Sequence, residues 1–246
     1  MFKFNNLRNY FSLLHPKKWV FRKPNKNKIL IYDVQSLSYL NFILKNKKYE
    51  IFFCRYENIN LYVLLITFFK SGFDELNKNY KINYFKIVDP KFILTGIDEN
   101  HGFYLLKQMY EKPIYISFQR AFKTKNFYTS LKKIKKNTKL NLFADFIFVL
   151  GENDKKDYSK YIDGKIINIG NIQNNRFNKL KLFKKRLSGI CFISSQKPKR
   201  IDILKNTWDY KLFVLLNKFC KKNDIKLSFL FKKKLEYKNF FKKLYN

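Results

Sequence analysis

Short apolar runs of β character alternate with stretches of helical spacing along most of this chain, and that alternation leaves it few folds to adopt. KILIYDV, starting at Lys28, ends in a polar turn; LSYLNFILKN follows with helical spacing, and YEIFFC supplies the next strand. A βαβ unit of this kind joins parallel strands, because a crossover is needed to start the second strand at the same edge as the first. LYVLLITFFK reads as a buried helix stopped at Ser71 and Gly72, and a second helix over 80–88 ends at Asp89 and Pro90, where proline forbids continuation. Strand KFILTG, helix HGFYLLKQMYEK, strand IYISF, helix SLKKIKKN, strand LFADFIFVLG, helix ENDKKDYSKYIDG and strand KIINIG complete the series. The repetition predicts an α/β fold: a doubly wound, Rossmann-like parallel sheet with helices on both faces.

Three segments follow from this pattern. Residues 1–26 are basic and aromatic, with Leu7, Tyr10, Phe11 and Leu14 on one helical face, which predicts a helix that covers either the protein body or an anionic membrane interface. Residues 27–184 hold the strand-helix series. NIQNNRFNKLKLFKKRLSG is polar and basic and reads as a linker, with the boundary near Lys185. Residues 185–246 restart the α/β pattern with GICFISS, helix WDYKLFVLLNKFCKKN, strand IKLSFLF and a helical LEYKNFFKKLY, so the expectation is an incomplete second lobe.

Composition narrows the function classes. Hydrophobic residues at 46% exclude intrinsic disorder despite 52 Lys and Arg against 18 Asp and Glu, a net charge of +34. A field of that size attracts polyanions and anionic lipid. However, the excess is mostly Lys and accompanies many Asn, Ile, Phe and Tyr, a codon-bias pattern. Cys54, Cys191 and Cys220 are scattered through apolar runs, so neither a disulfide framework nor a zinc knuckle is expected, and a reducing cytoplasm fits. The longest apolar run, Leu61 to Phe69, is too short to cross a bilayer, and the N-terminus lacks the features of a signal peptide.

Several chemistries lack their motifs. Neither G-x-G-x-x-G nor G-x-x-x-x-G-K-[ST] occurs, so neither common backbone cradle for phosphate is encoded and no cofactor is expected. D-x-D is absent too, which leaves a metal-independent route if sugar transfer is the chemistry. His15 and His101 with dispersed cysteines make no zinc site, and no G-x-S-x-G elbow is present.

FILTGIDENHGFYLLKQMYEKPIYISFQR at residues 92–120 is similar to the surface-carbohydrate biosynthesis proteins, in which a strand ends in T-x-I-D-N and a Phe-Tyr helix leads to a strand ending near Gln-Asn-Gly. ADFIFVLGENDKKDYSKYIDGKIINIGNIQNN resembles that family's strand, helix, strand and G-S-x-x-N-N turn, and FISSQKPKR resembles the start of its second lobe. The resemblance spans residues 28–244. It implies a GT-B-like arrangement of two α/β lobes, with transfer to a carbohydrate acceptor held by the first lobe, by a glycosyltransferase or a related glycerophosphotransferase. A nucleotide-activated donor is implied only if the second lobe is completed. One departure is plain: Gln119, Arg120, Ala121, Phe122 and Lys123 stand where the family has Gln-Asn-Gly-x-Arg, and losing glycine removes freedom for close ligand approach.

In open α/β sheets ligands sit beyond the carboxyl ends of the strands. The candidate site is therefore Asp33, Gln35, Thr95, Asp98, Glu99, Asn100, His101, Gln119, Arg120, Gly151, Glu152, Gly170, Asn174, Asn175, Ser194 and Gln196. Asp98 fits a general base on an acceptor hydroxyl, with His101 as the alternative; Asp98 and Asn100 also fit helix caps, and His101 a turn residue. Arg120 and Lys123 suit a phosphate or a carboxylated sugar. The competing reading is a nucleic-acid-binding protein, motivated by charge and by lysine runs at 132–136 and 232–234, but disfavoured because lysines are spread along the chain and no RNP-type aromatic motif occurs. A peripheral scaffold at the inner face of the membrane is a third.

Overall fold

A computed structural model describes residues 16–138, 141–176, 189–194 and 208–231. The Leu7 to Leu14 face, the boundary near Lys185, Gln196, lysines 232–234 and the LEYKNFFKKLY stretch lie outside the described residues. The chain divides into two compact units, Met1–Asn178 and Lys179–Asn246.

The first unit contains strands β1 (Trp19–Val20), β2 (Ile29–Tyr32), β3 (Glu50–Phe52), β4 (Ile59–Asn60), β5 (Phe92–Thr95), β6 (Ile114–Phe118), β7 (Phe143–Val149) and β8 (Asp163–Asn168). Its α-helices are α1 (Leu37–Leu40), α2 (Leu61–Ser71), α3 (Leu76–Val88), α4 (Leu106–Met109), α5 (Lys125–Thr138) and α6 (Glu152–Tyr158). Six strands form one sheet in the order β3-β2-β5-β6-β7-β8, every neighbouring pair parallel. The expected Rossmann-like parallel sheet is therefore present. From β2 the chain steps outward to β3, then returns to the other side of β2 to lay down β5. The crevice between β2 and β5 is thus the topological switch point, where loops diverge and ligand sites form in sheets of this type.

Side chains alternate across the sheet as strand periodicity demands. Leu30, Tyr32, Ile93 and Tyr115 point into one core, while Ile31 and Leu94 point into a second that Tyr39, Leu40, Leu44 and Ile172 complete. The first core is larger and rich in aromatic rings: Phe52 lies 5.1 Å from Tyr84 and 5.5 Å from Tyr32 by ring centroids. Each such ring, fully buried, contributes about 1.5–3 kcal/mol of transfer free energy. Much of the unusual aromatic content is thereby used in packing.

Local chemistry explains where elements start and stop. Asn60 caps α2 by accepting from Val63 N at 3.1 Å, while its own N–H donates to Tyr80 OH at 3.0 Å. Tyr115 OH donates to Tyr110 O at 2.6 Å just beyond the end of α4. Gly164 adopts φ +131°, and a Cβ there would lie 1.8 Å from Ala144 O, so only glycine fits the irregular register between β7 and β8.

Four expectations need correction. LSYLNFILKN is helical only over Leu37–Leu40, after a 3₁₀ turn at Val34–Ser36, and HGFYLLKQMYEK begins as a 3₁₀ segment, His101–Leu105, before four α residues. Residues 16–26 hold a 3₁₀ turn and strand β1, which pairs with β4, rather than helix. Helix α2 was expected to be buried, yet Leu65, Phe68 and Phe69 face outward. A helix apolar on every side gives periodicity no means of telling which side is inner.

The second unit is described over β9 (Gly189–Ser194), α7 (Trp208–Lys222) and β10 (Lys226–Phe231). Its two strands pair in parallel, a single βαβ unit around Phe192, Phe213, Cys220 and Leu227.

Candidate functional site

The strand ends of the first unit carry two polar clusters. The first gathers around Asp98, on the loop after β5. Asp98 and the Lys123 side chain are each 1% exposed, and Lys123 Nζ donates to Asp98 Oδ1 at 3.0 Å. Arg120 N donates to the same oxygen at 3.2 Å, and Tyr158 OH donates to Oδ2. Tyr104 OH reaches both Asp98 O, at 3.2 Å, and Ser117 Oγ, at 3.0 Å. Burial pushes the Asp98 carboxyl above the usual carboxylate range, opposed first by the Lys123 charge and then by the Tyr158 hydrogen bond. A raised pKa suits a base, but both carboxylate oxygens already accept hydrogen bonds. In this arrangement Asp98 ties the β5, β6 and β7 loops together.

Gln119 extends the same network. Its Nε2 donates to Asp154 Oδ1 at 2.8 Å and its Oε1 accepts from Leu150 N at 2.9 Å, while Tyr39 OH donates to Gln119 O at 2.9 Å. Asp154 and Tyr158 are one turn apart on the buried side of α6. Tyr39, from α1, packs against Gly96; a Cβ at Gly96 would sit 3.1 Å from the Tyr39 ring, so a larger residue there would crowd α1. Burial, with Asp98 adding its charge, pushes the Tyr39 hydroxyl up to about 12.

The second cluster lies at the switch point. Ser36 Oγ accepts from Gly96 N at 2.9 Å and lies 3.4 Å from Thr95 Oγ1, which stitches the β2 and β5 loops together. Asp33, fully buried at the end of β2, holds φ 94°, a conformation costly for a residue with a Cβ. Its Oδ1 accepts from Gln35 N at 2.9 Å. Arg55 Nη2 lies 2.9 Å from Oδ2 as an ion pair, and the Cys54 thiol interacts with the same carboxylate. Asn100 Nδ2 donates to Cys54 Sγ at 3.3 Å, and burial, then Asp33, pushes the Cys54 thiol up to about 12. Asn100 therefore does not cap the following turn with its side chain.

The remaining expected residues are placed as follows. Gln35, Glu99 and Arg120 are exposed around the two clusters; Lys123 Nζ also reaches Glu99 Oε1 at 3.0 Å. Gly151 and Glu152 follow β7, and Glu152 Oε1 accepts from Asn168 Nδ2 at 3.2 Å. Gly170 follows β8, and Asn174 is exposed in the turn Ile172–Arg176, which also contains Asn175. Ser194 ends β9 in the second unit. The His101 ring stacks on Phe127 at 5.5 Å and its Nε2 meets Ser130 Oγ at 3.1 Å. Ser130 Oγ also lies 2.6 Å from Phe127 O, so donating its hydrogen there leaves its oxygen to accept from His101 Nε2. Burial lowers the His101 pKa.

Sequence reasoning missed Tyr39, Ser36, Cys54, Arg55, Asp154 and Tyr158; Asn171, whose Oδ1 lies 3.4 Å from Tyr39 OH, falls in the turn after β8 where site residues were expected. One signal was present: Asp154 and Tyr158 sit four apart in an otherwise charged helix, the spacing of an inward polar face. Among the described residues no three His, Cys, Asp or Glu side chains converge to hold a metal, and no helix is long and apolar enough to cross a membrane.

The arrangement is a buried, hydrogen-bonded network with the exposed amide, carboxylate and guanidinium groups of Gln35, Glu99 and Arg120 around it. Such a rim suits hydrogen bonding to a polyhydroxylated or anionic ligand. Compared with protein-family profiles, curated proteins and solved structures, the chain matches none.

Proposed function

We propose that the first unit is the acceptor-binding lobe of a metal-independent, GT-B-like glycosyltransferase or related transferase of surface-polysaccharide synthesis in the cytoplasm. The observation that carries this reading is the Asp98, Lys123, Tyr158, Gln119 and Asp154 network, which holds the loops after β5, β6 and β7 in one fixed arrangement beside the switch point. Ordered polar loops at that position are what a ligand site in a parallel sheet requires. The order of motifs along residues 92–175 supports the carbohydrate assignment, and exposed Arg120 favours acceptors bearing a carboxylate or phosphate. Donor binding in this reading belongs to the second lobe, whose described part is one βαβ unit.

An array of bacterial surface glycans, probed with the intact chain, tests the proposal. The expected result is binding to acidic glycans that falls at least about tenfold in Arg120→Ala, the scale of a charge-assisted hydrogen bond lost. No glycan binding, together with RNA binding that persists at about 0.15 M salt, would contradict it and favour the nucleic-acid reading.

A further inference from the structure

Helix α2 departs from the rule that a helix turns its apolar face inward. Its inner side is secured: Val63 and Thr67 are buried, and Asn83 Nδ2 of α3 donates to Thr67 Oγ1 at 3.0 Å. Its outer side is equally apolar. Leu65 is 55% exposed, Phe69 81% and Phe73, just past the Gly72 cap, 80%, with Phe68 exposed between them. Positions 65, 68 and 69 share one side of the helix by their spacing. Phe68 makes edge contacts with Phe69 at 6.1 Å and with Phe73 at 5.0 Å, so the rings form one cluster. Contiguous exposed apolar surface marks an interaction site, whereas scattered single residues do not.

Charge identifies the occupant. Strand β1 is fastened to the start of α2, because Trp19 and Val20 pair with Ile59 and Asn60, and Asn60 Nδ2 donates to Arg22 O at 2.8 Å. Residues 16–28, PKKWVFRKPNKNK, contain six Lys or Arg and no Asp or Glu, and Phe21, Arg22, Lys23 and Lys26 are exposed. Helix α2 has 11 residues, about 16 Å by its rise, so a basic strand lies at one end of it and a ring cluster at the other. The acids beside the rings, Asp74 and Glu75, are offset by Lys70 and by Lys78, which pairs with Glu75. A second copy on this face would bring two such basic segments together, an unfavourable juxtaposition of like charge. Aromatic rings flanked by basic residues are instead the combination that binds an anionic bilayer.

We infer that the outer face of α2, with the basic segment 16–28, docks on an anionic phospholipid surface. The rings of Phe68, Phe69 and Phe73 enter the boundary between headgroups and acyl chains, and Arg22, Lys23 and Lys26 meet lipid phosphates. This surface differs from the residue 7–14 face considered from sequence, and it is independent of the transferase reading.

Co-sedimentation of the intact chain with vesicles of phosphatidylcholine, with and without phosphatidylglycerol, tests the inference. Binding is expected only with phosphatidylglycerol, falling about tenfold or more for each of Phe69→Glu and Phe73→Glu and about fivefold for each of Arg22→Ala and Lys23→Ala. Ile43→Glu, at an exposed apolar position outside the patch, is expected to bind as the parent does. All of these positions are exposed, and circular dichroism checks that each variant folds. Equal binding to both vesicle types, or undiminished binding by the Phe69→Glu/Phe73→Glu double variant, would overturn the proposal. So would a concentration-dependent dimer in sedimentation velocity that the double variant dissolves, in a chain that binds no vesicles.

Discussion

Two buried aspartates end adjacent strands of the same sheet and are treated in opposite ways. Asp98 has both oxygens occupied, by Lys123, Arg120 N and Tyr158. Asp33 is just as buried, but it sits at φ 94° and its Oδ2 is paired with Arg55, whose side chain is 43% exposed. A carboxylate held by buried partners fixes structure, whereas one in strained backbone held by a partly exposed arginine is tied to a group that solvent and ligands can reach. By this contrast the Asp98 network is the floor of the site and the switch-point cluster around Asp33 is the part free to respond.

The contrast breaks first if Asp98 proves dispensable. Asp98→Ala takes away the buried partner of Lys123 and leaves it only the exposed Glu99, and urea unfolding should register a loss of about 3–5 kcal/mol. Tyr158→Phe removes one donor from Asp98 Oδ2 and should cost less, about 1–3 kcal/mol by the same measurement. Asp33→Asn should cost less than either, about 1 kcal/mol, since Arg55, 43% exposed, keeps contact with water when the charge of Asp33 is lost. It should instead lower the Cys54 pKa from about 12, because Asp33 is the second cause of that shift after burial. The check is faster alkylation of Cys54 at alkaline pH, followed by mass spectrometry of its peptide.

The smallest effect concerns His101. Its folded pKa is depressed by burial, so its contribution to stability is present above the unfolded value of about 6.5 and is lost as pH falls through the folded value. His101→Gln should flatten the acid side of the stability profile in that window, which urea unfolding across pH would detect. An unchanged profile would show that the ring titrates as though solvated.

Strand positions were legible because parallel strands buried on two faces leave continuous apolar runs: ILIY, FILT, IYISF and FADFIFV all fall in the sheet. Helix type was less legible. His101–Leu105 winds as 3₁₀ where spacing suggested α, and its Tyr104 is tied to Ser117 and Asp98, contacts that sequence spacing does not carry. At the site, polar residues directly after strands could be found by position, which brought out Asp33, Asp98 and Gln119. Their partners could not. Tyr158 and Lys123 reach Asp98 across separations of 60 and 25 residues, contacts that exist only once the sheet has formed.

If the carboxyl-end rim of this sheet receives the ligand, amide chemical shifts will map the ligand to it. Titrating the ¹⁵N-labelled chain with an acidic surface oligosaccharide should move the amides of Gln35, Asn100, Arg120 and Asn171, while those of Lys28, Lys91 and Asp163, at the opposite strand ends, stay still. Shifts confined to that opposite edge, or spread over exposed lysines and abolished by salt, would contradict the account.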